Sequence, residues 1–327
     1  MAHTAVVTGA SGYLGGEVIH QLLAKGYNVR GTVTNVEDRR KTAPLLALRR
    51  ALPGKLTLTE ADLFEPGSFD DVVKGADFVF HTASNVIFDS PNPEKDLIEP
   101  AVKGTGNVLR SVARNRKTVR RTILSSSVAA MEKKIAGPSN GKLYTEEDWN
   151  DEATIDKFPY HLSKTLAEKL AWDLAEEYRF DLVAINPVMM LGPAVSAYGT
   201  SNSIMEMKLA LEGHDFKTLS NKLCDIRDGA RAHIVAAEKP EAHGRYLVGL
   251  MGTVDHRYVT NILQRRFPEY EIKTGREGPC IDLLDISRIT NELGMSMIGL
   301  EETICDMASS LIQLGIANPK LKSDWSG

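Results

Sequence analysis

The first half of the chain alternates short apolar segments with longer segments in which apolar residues recur every three or four positions. Short apolar segments predict β-strands and periodic ones predict helices. After the first strand, for example, Val18, Ile19, Leu22 and Leu23 are apolar at helical spacing. Residues 132–153 are polar and rich in turn-forming residues, and predict a long surface loop. The predicted strands are residues 5–7, 27–33, 56–59, 78–81, 121–124 and 182–185, and the clearest predicted helices are residues 69–74, 93–113, 159–179 and 228–237.

Six alternations of strand and helix predict an α/β fold in which a parallel sheet carries helices on both faces. This would be a doubly wound sheet of the Rossmann type, formed by residues 1–187 with a returning segment at about 223–249. The rhythm breaks after this first part, so residues 188–222 and 250–327 are predicted to form a smaller, mostly C-terminal domain that binds a substrate. Ligands of such sheets bind beyond the carboxyl ends of the strands.

Three glycines, Gly9, Gly12 and Gly15, lie between the first predicted strand and the first helix. A turn without side chains lets the backbone approach a diphosphate, and the following helix points its N-terminus at the negative charge. The spacing is Gly-x-x-Gly-x-x-Gly, which is tighter than the Gly-x-Gly-x-x-Gly fingerprint of dinucleotide sites. Glycines also form turns for structural reasons alone, so the motif indicates a dinucleotide site only together with the strand and helix around it.

Tyr160 and Lys164 are four residues apart near the start of a predicted helix, and therefore lie on one face of it. A free tyrosine has a pKa of about 10, which is too high for acid–base work at neutral pH, but a neighbouring ammonium favours the phenolate. The pair is a candidate proton donor, although the same spacing occurs on many helices without any function.

The fifth predicted strand ends in Ser125, Ser126 and Ser127. A hydroxyl at this place can donate a hydrogen bond to a carbonyl oxygen and hold it near Tyr160. Ser127 is the preferred candidate, and the other two serines compete with it. The Gly-x-Ser-x-Gly elbow of Ser-His-Asp hydrolases does not occur in the sequence, so a serine nucleophile is not expected.

Composition narrows the function classes. Of the 327 residues, 43% are hydrophobic and 25% are charged, which is typical of a globular protein. The net charge is −4 and no basic patch is visible, so a nucleic-acid partner is not expected. Cys224, Cys280 and Cys305 are far apart and odd in number, which favours a reducing compartment and argues against disulfides. The cysteines and histidines lack metal-ligand spacing, so no metal is expected.

Two further features bear on location. No apolar run approaches the roughly 20 residues that span a bilayer, so no membrane partner is expected. The first predicted strand begins at about Thr4, which leaves no room for a signal peptide before it. We therefore predict a cytoplasmic protein.

Together these features resemble the extended short-chain dehydrogenases/reductases over nearly the whole chain. Within that family the sequence is most similar to plant dihydroflavonol reductases, cinnamoyl-CoA reductases and fungal aldehyde or methylglyoxal reductases. The matching stretches are TGASGYLG (8–15), ADL (61–63), HTAS (81–84), VKGTGNVL (102–109), SSS (125–127), YHLSK (160–164), TLAEKLAWDLAEE (165–177), INPVMMLGP (185–193), DIRDGARAHI (225–234) and GRYL (244–247).

The resemblance implies that a nicotinamide cofactor delivers hydride to the carbon of an aldehyde or ketone. It also implies that Tyr160 protonates the carbonyl oxygen, that Lys164 holds the ribose and favours the phenolate, and that Ser127 orients the carbonyl. The implied cofactor contacts are Gly9, Ser11, Gly12, Tyr13, Leu14, Gly15, Thr34, Arg39, Asp62, Leu63, Thr82, Ala83, Ser84, Ser125, Tyr160, Lys164, Pro187 and Val188.

The end of the second predicted strand bears on the choice between NADP(H) and NAD(H). An acid there would bind the adenosine 2′-hydroxyl and select NAD, but the segment Thr32-Val33-Thr34-Asn35 contains none. Relatives usually carry at position 34 an arginine that grips the 2′-phosphate. The basic cluster at residues 39–41, Arg39, Arg40 and Lys41, offers substitutes, although such clusters are often only solvated surface. The prediction is NADP(H), with NAD(H) as the alternative.

The substrate is a small-molecule carbonyl compound, with predicted contacts Ser84, Val86, Ser127, Glu132, Tyr160, Met189 and Tyr198. Dihydroflavonol reductases carry an asparagine where this chain has Glu132, and cinnamoyl-CoA reductases carry an Asn-Trp-Tyr-Cys-Tyr segment where this chain has residues 156–159. We therefore predict a broad aldehyde or ketone reductase. The alternatives are a sugar-nucleotide epimerase or dehydratase with retained NAD, and a non-catalytic NADP-sensing protein of the same fold. The chain would act as a monomer or a homodimer.

Overall fold

The computed structural model describes residues 2–84, 90–133, 143–195, 201–215, 222–250, 254–278 and 284–323. The strands in these residues are β1 (Thr4–Thr8), β2 (Asn28–Val33), β3 (Lys55–Glu60), β4 (Phe78–His81), β5 (Arg121–Ser125), β6 (Leu182–Pro187), β7 (Met189–Leu191), β8 (Leu223–Asp225) and β9 (Gly244–Val248). Seven of them form one parallel sheet in the order β3-β2-β1-β4-β5-β6-β9. The order reverses between β1 and β4, so the crevice for a ligand opens beyond the ends of these two strands.

Helices cover both faces of this sheet. The α-helices of the described residues are α1 (Tyr13–Ala24), α2 (Arg39–Ala51), α3 (Asp70–Val73), α4 (Glu99–Arg114), α5 (Pro159–Tyr178), α6 (Asn202–Leu211), α7 (Ile226–Glu238), α8 (His256–Arg266), α9 (Ser287–Leu293) and α10 (Leu300–Gln313). One buried core joins the sheet to α1, α2, α7 and α9, and a second joins it to α3, α4 and α5. The α/β fold with a doubly wound parallel sheet is therefore confirmed.

A third buried core lies outside the large sheet. The short strands β7 and β8 pair with each other, and Leu191 of β7 packs among apolar residues of α6, α8 and α10. The sequence predicted a less regular part here without its elements, because two strands of three residues are too short to give an alternating pattern. The division of the chain at residues 187 and 188 into two domains stays a prediction.

The loop predicted at residues 132–153 is only partly a surface loop. Residues 134–142 lie outside the described residues, but Tyr144 and Glu146 beyond them are buried. The carboxylate of Glu146 accepts a hydrogen bond of 3.0 Å from the backbone N–H of Leu247, and so satisfies the open edge of β9. The polar pattern did not distinguish side chains in water from side chains that bind a strand edge, which explains the wrong prediction.

Candidate active site

The three glycines form a tight turn between β1 and α1. Gly9 has φ +67°, and a Cβ there would lie only 2.8 Å from the Cα of Ala83, at the end of β4. A Cβ at Gly15 would lie 2.3 Å from the carbonyl oxygen of Gly9. Gly12 precedes α1 and brings no side chain to the helix N-terminus. The turn is thus a narrow backbone cradle at the positive end of a helix, which fits a diphosphate.

The end of β4 is tied to the end of β1 by side-chain hydrogen bonds. The hydroxyl of Thr82 donates to the carbonyl oxygen of Thr8 (2.6 Å), and the hydroxyl of Thr8 accepts from the backbone N–H of Ala83 (3.0 Å). These bonds hold residues 82–84 against the glycine turn. Three predicted cofactor contacts, Thr82, Ala83 and Ser84, are therefore brought to the crevice of the sheet.

Lys164 reaches this crevice from the first turns of α5, and Tyr160 lies beside it on the same helix. The Nζ of Lys164 donates a hydrogen bond of 3.0 Å to the Oγ of Ser84 and lies 5.8 Å from the ring centre of Tyr160. Both side chains are half-buried. The helix begins at Pro159, as its sequence predicted, and follows Phe158 in a left-handed conformation with φ 67°. The pair predicted from helical spacing thus lies beside the strand end that closes over the glycine turn.

The three serines at the end of β5 have different hydrogen-bond partners. The hydroxyl of Ser125 donates to the Nε2 of His233 (3.0 Å), because the Nδ1 of this ring donates to the carbonyl oxygen of Gly229 (2.7 Å). Burial lowers the pKa of His233 to about 4, so its ring is neutral at pH 7. The hydroxyl of Ser126 donates to the carboxylate of Glu168 (2.5 Å).

Ser127 differs from its two neighbours. Its Oγ accepts a hydrogen bond of 3.1 Å from the backbone N–H of Ala129 at the start of a short 3₁₀ turn, Val128–Ala130. Its own O–H has no protein partner among the residues that the structure describes, which leaves this donor for another acceptor. Of the three competing serines, Ser127 is thus the one with a hydroxyl hydrogen to give.

A buried polar network that the sequence analysis missed supports this corner. Glu168 is one turn beyond Lys164 on α5 and 1% exposed, and its carboxylate pairs with Arg245 (2.7 Å). The side-chain amide of Asn186 donates both to Glu168 (2.8 Å) and to the carbonyl oxygen of Ser127 (3.1 Å). The network therefore fixes the backbone of Ser127. Its only sequence signal was an acidic residue on the buried side of a helix.

His81 closes β4 and is a buried, hydrogen-bonded residue. Its Nδ1 lies 2.9 Å from the hydroxyl of Thr8. Burial, with a smaller contribution from the charge of Lys164, lowers the pKa of His81 to about 3, so the ring is neutral at pH 7. Beside it lies a cavity of about 20 Å³, the volume that one water molecule needs. The polar residues that line this cavity are His81, Ser84, Thr105, Ser125, Ser126, Lys164 and Glu168.

At the other end of the crevice, the ends of β2 and β3 hold the residues predicted to contact the adenosine. The Nζ of Lys41 donates a hydrogen bond of 3.2 Å to the hydroxyl of Thr34, whereas the guanidinium of Arg40 pairs with Asp38 at 3.2 Å. Arg39 is exposed at the start of α2. Of the basic cluster, it is therefore Lys41 that reaches the position of the missing arginine.

Asp62 and Leu63 lie just beyond β3. The side chain of Asp62 is exposed and accepts from the backbone N–H of Phe64 (2.8 Å), while the carbonyl oxygen of Leu63 accepts from the side chain of Asn107 (2.8 Å). Leu63 also lies 3.2 Å from the point where a Cβ would stand at Gly104 of α4. Both residues are at the predicted edge of the sheet.

Several predicted cofactor contacts offer the cleft their backbone only. The side chains of Leu14 and Val188 are 9% and 4% exposed and belong to the core. The hydroxyl of Tyr13 donates to the carbonyl oxygen of Gly192 (2.6 Å), so this side chain points at the region after β7. Pro187 ends β6, and Ser11 lies half-buried in the glycine turn.

The predicted substrate contacts are only partly described. Val86 and Tyr198 lie outside the described residues, and Met189 is half-exposed on β7. Glu132 forms an ion pair with the buried Lys222, and its carboxylate lies 3.9 Å from the Nε2 of His161. Burial opposes the ionisation of Glu132, but the hydrogen bonds and charges of His161 and Lys222 outweigh it and hold its pKa below the usual value. Glu132 is thus a charged group next to the residue that follows Tyr160.

Two further features of the described residues bear on other classes of site. No helix in the described part of the chain is long and apolar enough to cross a membrane. Among the same residues, no group of three or more histidine, cysteine, aspartate or glutamate side chains is arranged to hold a metal ion.

Comparison with known proteins identifies the family. Residues 5–249 match the model of the NAD dependent epimerase/dehydratase family. The chain is 34% identical to a cinnamoyl-CoA reductase of Medicago truncatula, over 97% of this chain and 98% of that protein. It is 32% identical to a dihydroflavonol 4-reductase of Callistephus chinensis, over 89% of this chain and 80% of that protein.

Solved structures agree with these relatives. The yeast methylglyoxal/isovaleraldehyde reductase complexed with NADPH superposes with a TM-score of 0.83 at 30% identity, over 95% of this chain and 99% of that one. A UDP-glucuronic acid 4-epimerase from Bacillus cereus superposes with a TM-score of 0.75 at 16% identity, which shows the shared fold alone. The chain therefore belongs to the NAD dependent epimerase/dehydratase family, that is, to the extended short-chain dehydrogenases/reductases, and is an oxidoreductase of that type.

Proposed function

We propose that the chain reduces an aldehyde or ketone with NADPH, with Tyr160 as the proton donor. The observation that carries the proposal is the contact between Lys164 and Ser84, because it brings the Tyr160–Lys164 pair to the strand end that packs on the glycine turn. A dinucleotide whose diphosphate lies in that turn would extend along the crevice toward this pair. The bound cofactor supplies hydride to the carbonyl carbon.

Tyr160 gives a proton to the carbonyl oxygen as negative charge develops on it. The ammonium of Lys164, 5.8 Å from the ring centre, stabilises the phenolate that remains. One N–H of this ammonium binds Ser84, and the others are left for the ribose hydroxyls of the cofactor. Lys164 thus has two roles, one electrostatic and one in positioning the cofactor.

Ser127 orients the carbonyl through its hydroxyl. The N–H of Ala129 holds the Oγ in place as acceptor, so the O–H can donate to the substrate oxygen without a competing protein acceptor in the described part of the chain. A donor directed at the developing oxyanion stabilises the transition state more than the ground state. The Asn186–Glu168 network behind it keeps this position rigid.

NADPH is favoured over NADH by the residues at the end of β2. Thr34 and Asn35 carry no negative charge that would repel a 2′-phosphate, and the ammonium of Lys41 stands 3.2 Å from the Thr34 hydroxyl. The relative whose structure is most similar among those compared above is complexed with NADPH. Lys41 therefore takes the charge-pairing role that relatives give to an arginine at position 34.

The substrate class is an uncharged aldehyde or ketone. The Glu132–Lys222 ion pair, which lies in the predicted substrate region, is internally neutralised and brings no unpaired charge to recognise an ionic substrate. The identity of a plant relative's substrate does not transfer, because the chain has Glu132 in place of the asparagine of dihydroflavonol reductases.

The test is a screen of carbonyl compounds with NADPH and NADH in parallel, followed by the absorbance of the reduced nicotinamide. Isovaleraldehyde, methylglyoxal and a dihydroflavonol are the probes. Turnover of at least one with NADPH, and slower turnover with NADH, is the expected result. Retained NAD together with epimerisation of a UDP-sugar would replace the proposal, and NADPH binding without any turnover would favour a sensing protein.

A further inference from the structure

The turn that holds the predicted cofactor site also touches the region after β7. The hydroxyl of Tyr13, the first residue of α1, donates a hydrogen bond of 2.6 Å to the carbonyl oxygen of Gly192. The two residues are 179 positions apart. The ring of Tyr13 packs against both the core of the large sheet and the separate core formed with α6, α8 and α10. It is therefore a bridge between two parts of the molecule.

A second contact joins the same two segments without using Tyr13. Gly16, one turn along α1 from Gly12, has no side chain, and a Cβ there would lie 2.8 Å from the Cγ2 of Val195. The glycine thus leaves the space that Val195 occupies. Residues 192–195, which follow β7 directly, therefore contact the first turns of α1 both at Gly192 and at Val195.

Gly192 is constrained from its other side as well. It has φ +127°, and a Cβ there would lie 2.8 Å from Ile226 Cγ2 and 3.0 Å from Asp225 Oδ1. Its carbonyl oxygen therefore has little freedom to turn away from the Tyr13 hydroxyl. Burial raises the pKa of this hydroxyl well above its usual value, so it remains a donor at every pH of interest.

We propose that Tyr13 is a positioning residue that couples the cofactor turn to the substrate site through residues 192–195. The inference rests on the proposed function, and adds to it a physical connection between its two binding events. Residues 192–195 lie between Met189 and Tyr198, two of the predicted substrate contacts. Ordering of the glycine turn by a diphosphate would hold Tyr13 in place, and Tyr13 would hold the segment that leads to the substrate.

The first test uses NADPH alone and reads amide hydrogen exchange. In the wild type, NADPH should slow exchange of the amides of Gly192, Ala194 and Val195 about fivefold or more, and in Tyr13→Phe by less than about twofold; Pro193 has no amide hydrogen. The matched control is Tyr27→Phe. This tyrosine also donates its hydroxyl across the fold, to Glu238 at 2.8 Å, but lies at the opposite end of α1. Tyr27→Phe should keep the full NADPH effect even if its melting temperature falls.

The second test reads steady-state kinetics at saturating NADPH with the aldehyde or ketone that gives the fastest turnover in the screen above. Tyr13→Phe should raise KM for that compound about threefold or more, while kcat and the Kd of NADPH change less than about twofold. Gly16→Ala should raise KM in the same way, because the new methyl group meets Val195. The double variant Gly16→Ala/Val195→Ala should restore KM, which a merely destabilised fold would not do.

The results separate this inference from the function on which it rests. If the wild type binds NADPH and reduces a carbonyl compound while Tyr13→Phe keeps the exchange protection, the coupling is refuted and the reductase stands. A rise of KM and NADPH Kd together in Tyr13→Phe would also refute it, since the residue would then act on the turn itself. If the wild type does not bind NADPH, both proposals fall.

Discussion

At the scale of single residues, hydrogen bonding distinguishes groups that look the same in the sequence. Ser125, Ser126 and Ser127 are identical in type and adjacent, yet the first donates to a histidine and the second to a buried carboxylate. Only the third keeps its hydroxyl hydrogen without a partner in the described part of the chain. The partners, His233 and Glu168, come from two different helices, so no local pattern could rank the three serines.

Ser127→Ala tests the ranking. Removing one donor directed at a developing oxyanion costs about a hundredfold to a thousandfold in turnover, and this is the loss expected in kcat for whichever aldehyde proves active. Ser127→Thr keeps a hydroxyl on the same extended backbone (φ −163°) and should retain most of the activity. Equal kcat values for Ser127→Ala and the wild type would remove this serine from the mechanism.

Tyr160→Phe is the second prediction at this scale. Because the proton is needed only in the transition state, kcat should fall about a hundredfold or more while the Kd of NADPH stays within about twofold. Fluorescence titration of NADPH and steady-state kinetics on the same preparations measure the two quantities. Loss of NADPH binding in parallel with kcat would instead make Tyr160 a structural support of the cofactor site.

At the scale of elements, the junction between β2 and α2 holds the residues that we propose select the cofactor. The sequence showed a basic cluster at residues 39–41, and the structure includes Arg39, Arg40 and Lys41 in the first turn of α2. Asp38 caps this helix and engages Arg40, which leaves Lys41 turned toward Thr34. The face of α2 on which each cation lies depends on the residue at which the helix begins. The sequence alone did not predict that starting residue.

Lys41→Ala should therefore raise KM for NADPH about tenfold, which corresponds to about 1.4 kcal/mol, and leave KM for NADH unchanged. Arg50→Ala is the charge-matched control. Arg50 lies in the last turn of the same helix, nine residues or about 14 Å away, and should affect neither KM. If the two variants weaken NADPH binding equally, general electrostatic attraction replaces the specific contact.

The helix α5 shows what the pattern within one element can predict. Pro159 predicted where α5 begins, and the spacing of Tyr160 and Lys164 placed both on one face. The same face continues to Glu168, whose role depends on Arg245, 77 residues further along the chain. Arg245 stacks on Trp149 at 3.9 Å and enters the site from β9, so this support follows from tertiary packing and not from local periodicity.

At the scale of the whole molecule, the six strands of the first part were predictable and the completion of the sheet was not. The six predicted strands all occur, because buried parallel strands give clear apolar runs. The seventh strand, β9, comes after the rhythm has broken and carries an arginine and a tyrosine, Arg245 and Tyr246, among its five residues. At its outer edge, a backbone N–H donates to the carboxylate of Glu146, which lies in the segment predicted from its polar residues to be a surface loop.

Two buried histidines make stability depend on pH for the molecule as a whole. Burial lowers the pKa of His81 to about 3 and that of His233 to about 4, whereas both titrate near 6.5 in the unfolded chain. Between these values the unfolded state binds more protons than the folded state, so stability rises with pH. The free energy of unfolding should thus fall on acidification from about pH 6.5 to 4, by up to about 1.4 kcal/mol per pH unit for each histidine.

Urea denaturation at a series of pH values between 4.5 and 7.5 measures this slope. Paired carboxylates such as Asp70 lose their stabilising effect only at lower pH, since their pKa lies below the usual value. Burial raises the pKa of Glu146 and Asp228, and these two groups oppose the slope of the histidines within the window, so the comparison is made between the wild type and a variant without the two rings. The double variant His81→Asn/His233→Gln, which replaces each ring by an uncharged side chain that can hydrogen-bond, should flatten the curve. The same pH dependence in the wild type and the double variant would mean that the two rings are reached by water, and that the ends of β4 and β5 are less tightly closed than their hydrogen bonds to Thr8 and Ser125 indicate.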